Sequence, residues 1–127
     1  MRWLTVSLAL WTGAAAQAQE IVMPSGLTVA FLDRFIEAQS GGERWLTLRY
    51  VTTRIGAGEG KLGYDDVVDD IDALCDGEGL AAASEVGDVD QVVITLMDRA
   101  VERGVHDPDA TMFIGAYRPT EDGCVWE

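Results

Sequence analysis

A single histidine, His106, stands in this 127-residue chain, inside the stretch HDPDAT with Asp107 and Asp109 beside it. An imidazole that titrates near neutrality, next to carboxylates, is the smallest set from which acid–base or metal chemistry can be built. Adjacent chain positions seldom face one another, however, and Pro108 marks a turn. A loop histidine is the better reading. A small hydrolase-like or metal-dependent protein using His106 with loop carboxylates stands as the alternative. After residue 18 the only serines are Ser25, Ser40 and Ser84, and none lies in a nucleophile motif.

Two further stretches invite chemistry. GEGKLG (58–63) has the G-x-G-x-x-G spacing with which backbone approaches a pyrophosphate. Yet Asp65 and Asp66 follow at once, where phosphate charge would have to rest at a helix start. GAGEGK (56–61) falls one residue short of a P-loop, and Leu62 stands where Ser or Thr is needed. The aspartates 65, 66, 69, 70 and 72 suggest calcium, but calcium needs oxygens converging from a loop, whereas these spread over a helix, mainly on its outer face. The loop acids Asp76, Glu78, Glu85, Asp88 and Asp90 have no ligand spacing. No catalytic, cofactor-binding or metal-ligating residue is therefore assigned, and no cofactor is expected.

Cys75 and Cys124 are the only cysteines. Zinc sites show closer cysteine spacing and more ligands, and a reactive thiol needs an activating neighbour, neither of which the sequence offers. The amino-terminal residues decide the matter. MRWLTVSLALWTGAAAQAQE has Arg2 as its only charged side chain before Glu20, an apolar run from Trp3 to Ala16, and the small-x-small pattern Ala16-Gln17-Ala18. That is a cleavable secretory signal over residues 1–18, cut after Ala18. The run is too short for the roughly 20 apolar residues that span a bilayer. An exported chain meets an oxidising compartment, where two cysteines permit one pairing. A Cys75–Cys124 bridge closing a loop of about 50 residues stabilises by roughly 4 kcal/mol on the chain-entropy model.

Residues 19–127 suffice for one domain with one core. Losing Arg2 changes the formal charge from −13 to −14. Such acidity disfavours nucleic acid and anionic lipid, which are bound through Lys and Arg. The expected location is periplasmic or secreted, with no membrane insertion after signal cleavage.

The elements follow from periodicity. LTVAFLDRFIE (27–37) reads as helix or strand, because Thr28, Phe31, Leu32, Phe35 and Ile36 share a helical face yet suit a strand. RWLTLRYVTTRI (44–55) is a firmer strand, with Leu46, Leu48 and Tyr50 on one face and Thr47 and Arg49 on the other. YDDVVDDIDALCDG (64–77) is the clearest helix, its face formed by Tyr64, Val67, Val68, Ile71, Leu74 and Cys75, with Gly77 as its stop. QVVITLMDRAVER (91–103) is two-faced, and Val92-Val93-Ile94-Thr95 favours a strand. TMFIGAYR (111–118) and CVW (124–126) are strands joined by the turn PTEDG (119–123). Trp45, Phe113, Tyr117 and Trp126 are expected in the core or over the disulfide. The result is an α+β domain: a small, mostly antiparallel ββαββ sheet packed on one helix.

The stretches PSGLTVAF, LTLRYV, DALCD, VVITLMDR, DPDAT and DGCVWE resemble a family of small exported bacterial proteins of uncharacterised function. The resemblance implies hairpins flanking a cysteine-bearing helix, and it implies no activity. A binding or interaction module that meets an envelope protein is the expectation; the sequence specifies neither that partner nor an oligomeric state.

Overall fold

The computed structural model describes residue 5 and residues 19–127. The expected signal run and its cleavage motif fall on residues outside those described. Six strands form one sheet in chain order: β1 (Glu20–Val22), β2 (Thr28–Ala38), β3 (Arg44–Val51), β4 (Gln91–Met97), β5 (Met112–Thr120) and β6 (Gly123–Trp126). Every neighbouring pair is antiparallel except β3 and β4, which run parallel. A parallel pair needs a long crossover, and the helical residues between them supply it: α1 (Tyr64–Leu74), a π-helical turn (Cys75–Gly79) and α2 (Leu80–Val86).

The α+β class, with a mostly antiparallel sheet packed on helix and a Cys75–Cys124 disulfide, therefore holds, while the ββαββ order does not. The order is βββ, helix, βββ. β1 is the strand the sequence reading lacks, since EIV is only three residues long. Both two-faced segments contain strands, with 91–103 extended only as far as Met97. Pro119 and Thr120 belong to β5 rather than to the turn after it. Gly77 does not stop the helix. Leu80, Ala82, Ala83 and Val86 continue an apolar stripe, with Ala82 buried and the other three half-buried, and its burial outweighs the roughly 1 kcal/mol that each helical glycine costs.

The inner face of the sheet carries Leu46, Leu48 and Tyr50 on β3, Val92, Ile94 and Leu96 on β4, and Phe113, Gly115 and Tyr117 on β5, aligned by the register. Val67, Ile71, Leu74 and Cys75 pack on it, and together they form the core. At Gly115 there is no room for a side chain: a Cβ there would lie 2.7 Å from the Tyr117 hydroxyl and 2.8 Å from the Ile71 Cγ2. The Cys75–Cys124 disulfide ties the π turn to β6. The Asp76 carboxylate reinforces the link by accepting from the Cys124 N–H at 2.9 Å.

The outer face is covered over one half only. Residues 98–111 cross it above β3, where the Val101 carbonyl accepts from the Arg49 guanidinium at 2.7 Å. They reach β2, where the Arg103 guanidinium lies 3.9 Å from the Phe35 ring centroid and pairs with Glu37 at 3.2 Å. Beneath them Arg49, only 8% exposed, forms a two-pronged ion pair with Asp33.

Candidate functional site

The acid–base and metal candidates remain apart. His106 is exposed, and no hydrogen bond holds its ring among the described residues. Asp107 turns its carboxylate to the Asp109 N–H at 2.9 Å, closing its own loop. Among the described residues no three His, Cys, Asp or Glu side chains gather at metal distance. The loop acids have separate tasks: Asp76 holds β6, Glu85 pairs with Arg34 at 3.2 Å, and Asp90 accepts from the Arg44 N–H at 2.8 Å. Asp88 lies at a turn with φ of 54°.

Two of the helical aspartates depart from the mainly solvated outer face on which the sequence places them. Asp70 is 2% exposed and receives the Ser25 hydroxyl at 2.6 Å, while Asp72 receives the Tyr117 hydroxyl at 2.6 Å. Asp70 anchors the turn between β1 and β2 to the helix and Asp72 anchors β5, and neither was legible, because their partners lie 45 residues away. Burial and the Asp72 carboxylate hold the Tyr117 phenol in its neutral form, well above its ordinary pKa.

The glycine-rich stretch is occupied by its own residues. The Asp66 carboxylate accepts from the Gly63 N–H at 2.8 Å, where a phosphate would have to sit. Lys61 spends its ammonium on the Thr53 carbonyl at 2.8 Å. Trp126 departs from the expected burial, being 47% exposed as it stacks on the buried Tyr117 at 4.8 Å. Trp45 is half-buried and donates its indole N–H to Glu43 at 3.0 Å.

What the fold leaves open is backbone. A strand edge exposes unpaired N–H and C=O groups and is a template for another strand. Among the described residues β1 pairs only with Thr28–Ala30, so β2 has a free edge there from Leu32 to Ala38. That edge is guarded: Asp33, Arg34 and Glu37 lie along it, and a bulge at Leu32 breaks its line. β6 pairs only with Tyr117–Thr120, and the chain turns its last N–H to the Ala116 carbonyl at 3.1 Å. Among the described residues β5 is therefore unpaired on that side from Met112 to Gly115. The two-residue repeat of a strand directs the N–H and C=O groups of Met112 and Ile114 the same way as those of Ala116, outward.

This second edge is unguarded. Residues 112–117, MFIGAY, contain no charge and no proline. On the uncovered half of the outer face Met112 is 43% and Ile114 52% exposed. Four open backbone groups flanked by two apolar side chains can accept an extended segment as a seventh strand, main chain giving adhesion and alternate side chains giving selectivity. Sequence reading found the strand but not its edge. The signal was present in the uncharged run of 112–117, whose meaning depends on which residues pair beside it in the sheet.

A family model described as a family of unknown function (DUF6497) matches residues 7–127. No curated protein matches the chain, and neither does any solved structure.

Proposed function

The chain belongs to DUF6497, a family of unknown function, and we propose that it is an exported acidic module that binds a partner through the free edge of β5 rather than a catalyst. The observation that carries this is the contrast between the two edges. A sheet that protects one edge with three charges and a bulge and leaves the other bare has a use for the bare one. The partner is an envelope protein offering an extended, apolar and basic segment, since the domain is strongly acidic. Two features support export: the amino-terminal signal pattern with its cleavage point after Ala18, and the disulfide. The location is periplasmic or secreted, without membrane insertion, and nucleic acid is not a partner of so acidic a surface.

Photo-crosslinking in intact cells tests this reading. A reactive residue at position 114 is expected to capture one reproducible envelope protein, and the same residue at position 36, on the guarded edge, is expected not to. Equal capture from both positions, or none from position 114, overturns the assignment of the edge.

A further inference from the structure

We infer that the gap where β2 and β3 part is a binding site for a carboxylate, with Arg54 as its anchoring cation. The inference is independent of the β5 edge. Pairing between the two strands ends at Ala30 opposite Val51. Just past Val51 the Thr52 N–H turns to the Met97 carbonyl at 2.8 Å, which draws the chain toward β4 and away from β2. A cavity of about 440 Å³ lies between them, with Thr28 and Val29 on one side and Thr52, Thr53 and Arg54 on the other.

The second of these walls is rich in donors and short of acceptors. Among the described residues every Lys and Arg side chain except Arg54 reaches a carboxylate or a backbone carbonyl. Arg54 has neither, in a chain of formal charge −13. Thr52 is only 5% exposed. Its hydroxyl accepts from the Arg54 N–H at 3.4 Å and donates to nothing among the described residues, although buried polar groups are ordinarily satisfied. The Thr53 N–H likewise has no acceptor there.

The glycine-rich loop holds this wall in place. It folds back, with Gly60 at a φ of 77°, so that the Leu62 N–H donates to the Arg54 carbonyl at 2.8 Å and Lys61 reaches the Thr53 carbonyl. The Lys61 ammonium thereby sets a second positive charge beside Thr53.

Such donors suit an oxyanion, and the charges around them select which one. A guanidinium grips a carboxylate with two parallel hydrogen bonds. Glu20 lines the same cavity, and Asp66 shares with Arg54 an adjoining one of about 370 Å³, yet neither pairs with Arg54. Negative charge so close penalises a dianion more than a monoanion. The ligand is therefore a single carboxylate, carried by a small organic acid or by the carboxy terminus of a peptide.

Nuclear magnetic resonance of the intact protein at pH 7 tests this, with acetate, alanylalanine, alanylalanine amide and inorganic phosphate as probes at matched ionic strength. Acetate and alanylalanine are expected to shift the Thr52, Thr53 and Arg54 amides saturably. The amide is expected to give no such shift, and phosphate to bind about tenfold more weakly than either. Alanylalanine binding more tightly than acetate identifies a peptide terminus, and equal affinities identify a small acid. Arg54→Gln removes a side chain with no partner in the fold, so it is expected to melt with the wild type while weakening binding about tenfold. Thr52→Val, which keeps the shape and removes the hydroxyl, is expected to weaken binding severalfold and serves as a second variant. No saturable shift from either carboxylate, phosphate binding as tightly as they do, or wild-type affinity in both variants overturns the site.

Discussion

Asp33 and Arg49 show what one pair of residues does here. Arg49 is nearly buried, so its charge stays favourable only while Asp33 and the Val101 carbonyl hold its donors. The Arg49 hydrogen bonds in turn hold the Asp33 carboxyl below its usual pKa. A depressed folded-state value means that the contribution is present above the unfolded value of about 3.9 and is lost as pH falls through the folded one. Asp33→Asn leaves Arg49 without its counter-charge. Because Asp33 is itself partly exposed, the expected cost is about 1–3 kcal/mol at pH 7, the range for losing a charged hydrogen bond, rather than the larger cost of a dry ion pair. Urea unfolding at pH 7 and pH 3 measures it, and the difference between variant and wild type should shrink at the lower pH. A difference as large at pH 3 would show that packing, not charge, is what Asp33 supplies. The sequence placed Arg49 correctly on the face opposite Leu48 and Tyr50, but its partner was hidden by the bulge at Leu32, which shifts the register of β2 by one residue.

The same bulge explains, at the scale of elements, why residues 27–37 resembled a helix. An inserted residue breaks strict alternation, and Phe31, Leu32, Phe35 and Ile36 then acquire the spacing of a helical stripe. β3 and β4, which have no bulge, were legible as strands from their own residues. The end of the helix was not, because Gly77 is a local stop signal that burial of the 80–86 stripe overrides. β6 depends on other elements altogether. Four residues cannot hold a strand alone, and what keeps β6 in place is the Cys75–Cys124 bridge, the Asp76 hydrogen bond and the Trp126–Tyr117 stack. Replacing both cysteines with alanine should therefore destabilise the domain by about 2–5 kcal/mol. It should also release β6 first. In hydrogen exchange the amides of β6 should lose protection before those of β3 and β4. Uniform loss across the sheet would mean that the bridge acts on the unfolded chain alone and does not retain β6.

At the scale of the whole molecule the opposing effects of charge can be separated. A formal charge of −13, or −14 without Arg2, repels itself in the compact state and is expected to keep molecules with a bare β5 edge from pairing with one another. The charge was fully legible in composition. Its role was not, because it depends on an edge that only the topology reveals. Salt shortens the reach of charge from about 30 Å at 0.01 M to about 3 Å at 1 M. Self-repulsion among carboxylates spread over the surface acts over the longer distances, whereas the Asp33–Arg49 pair and the Asp70 and Asp72 anchors act at contact and are screened least. Adding salt should thus raise the melting temperature of the isolated domain, with most of the gain below about 0.2 M. The same addition should promote self-association, which light scattering would report, and Ile114→Lys, which places a charge on the bare edge, should suppress it. A melting temperature that falls with salt would show that attractive surface pairs outweigh the repulsion. Association unchanged by Ile114→Lys would show that charge guards some surface other than the β5 edge.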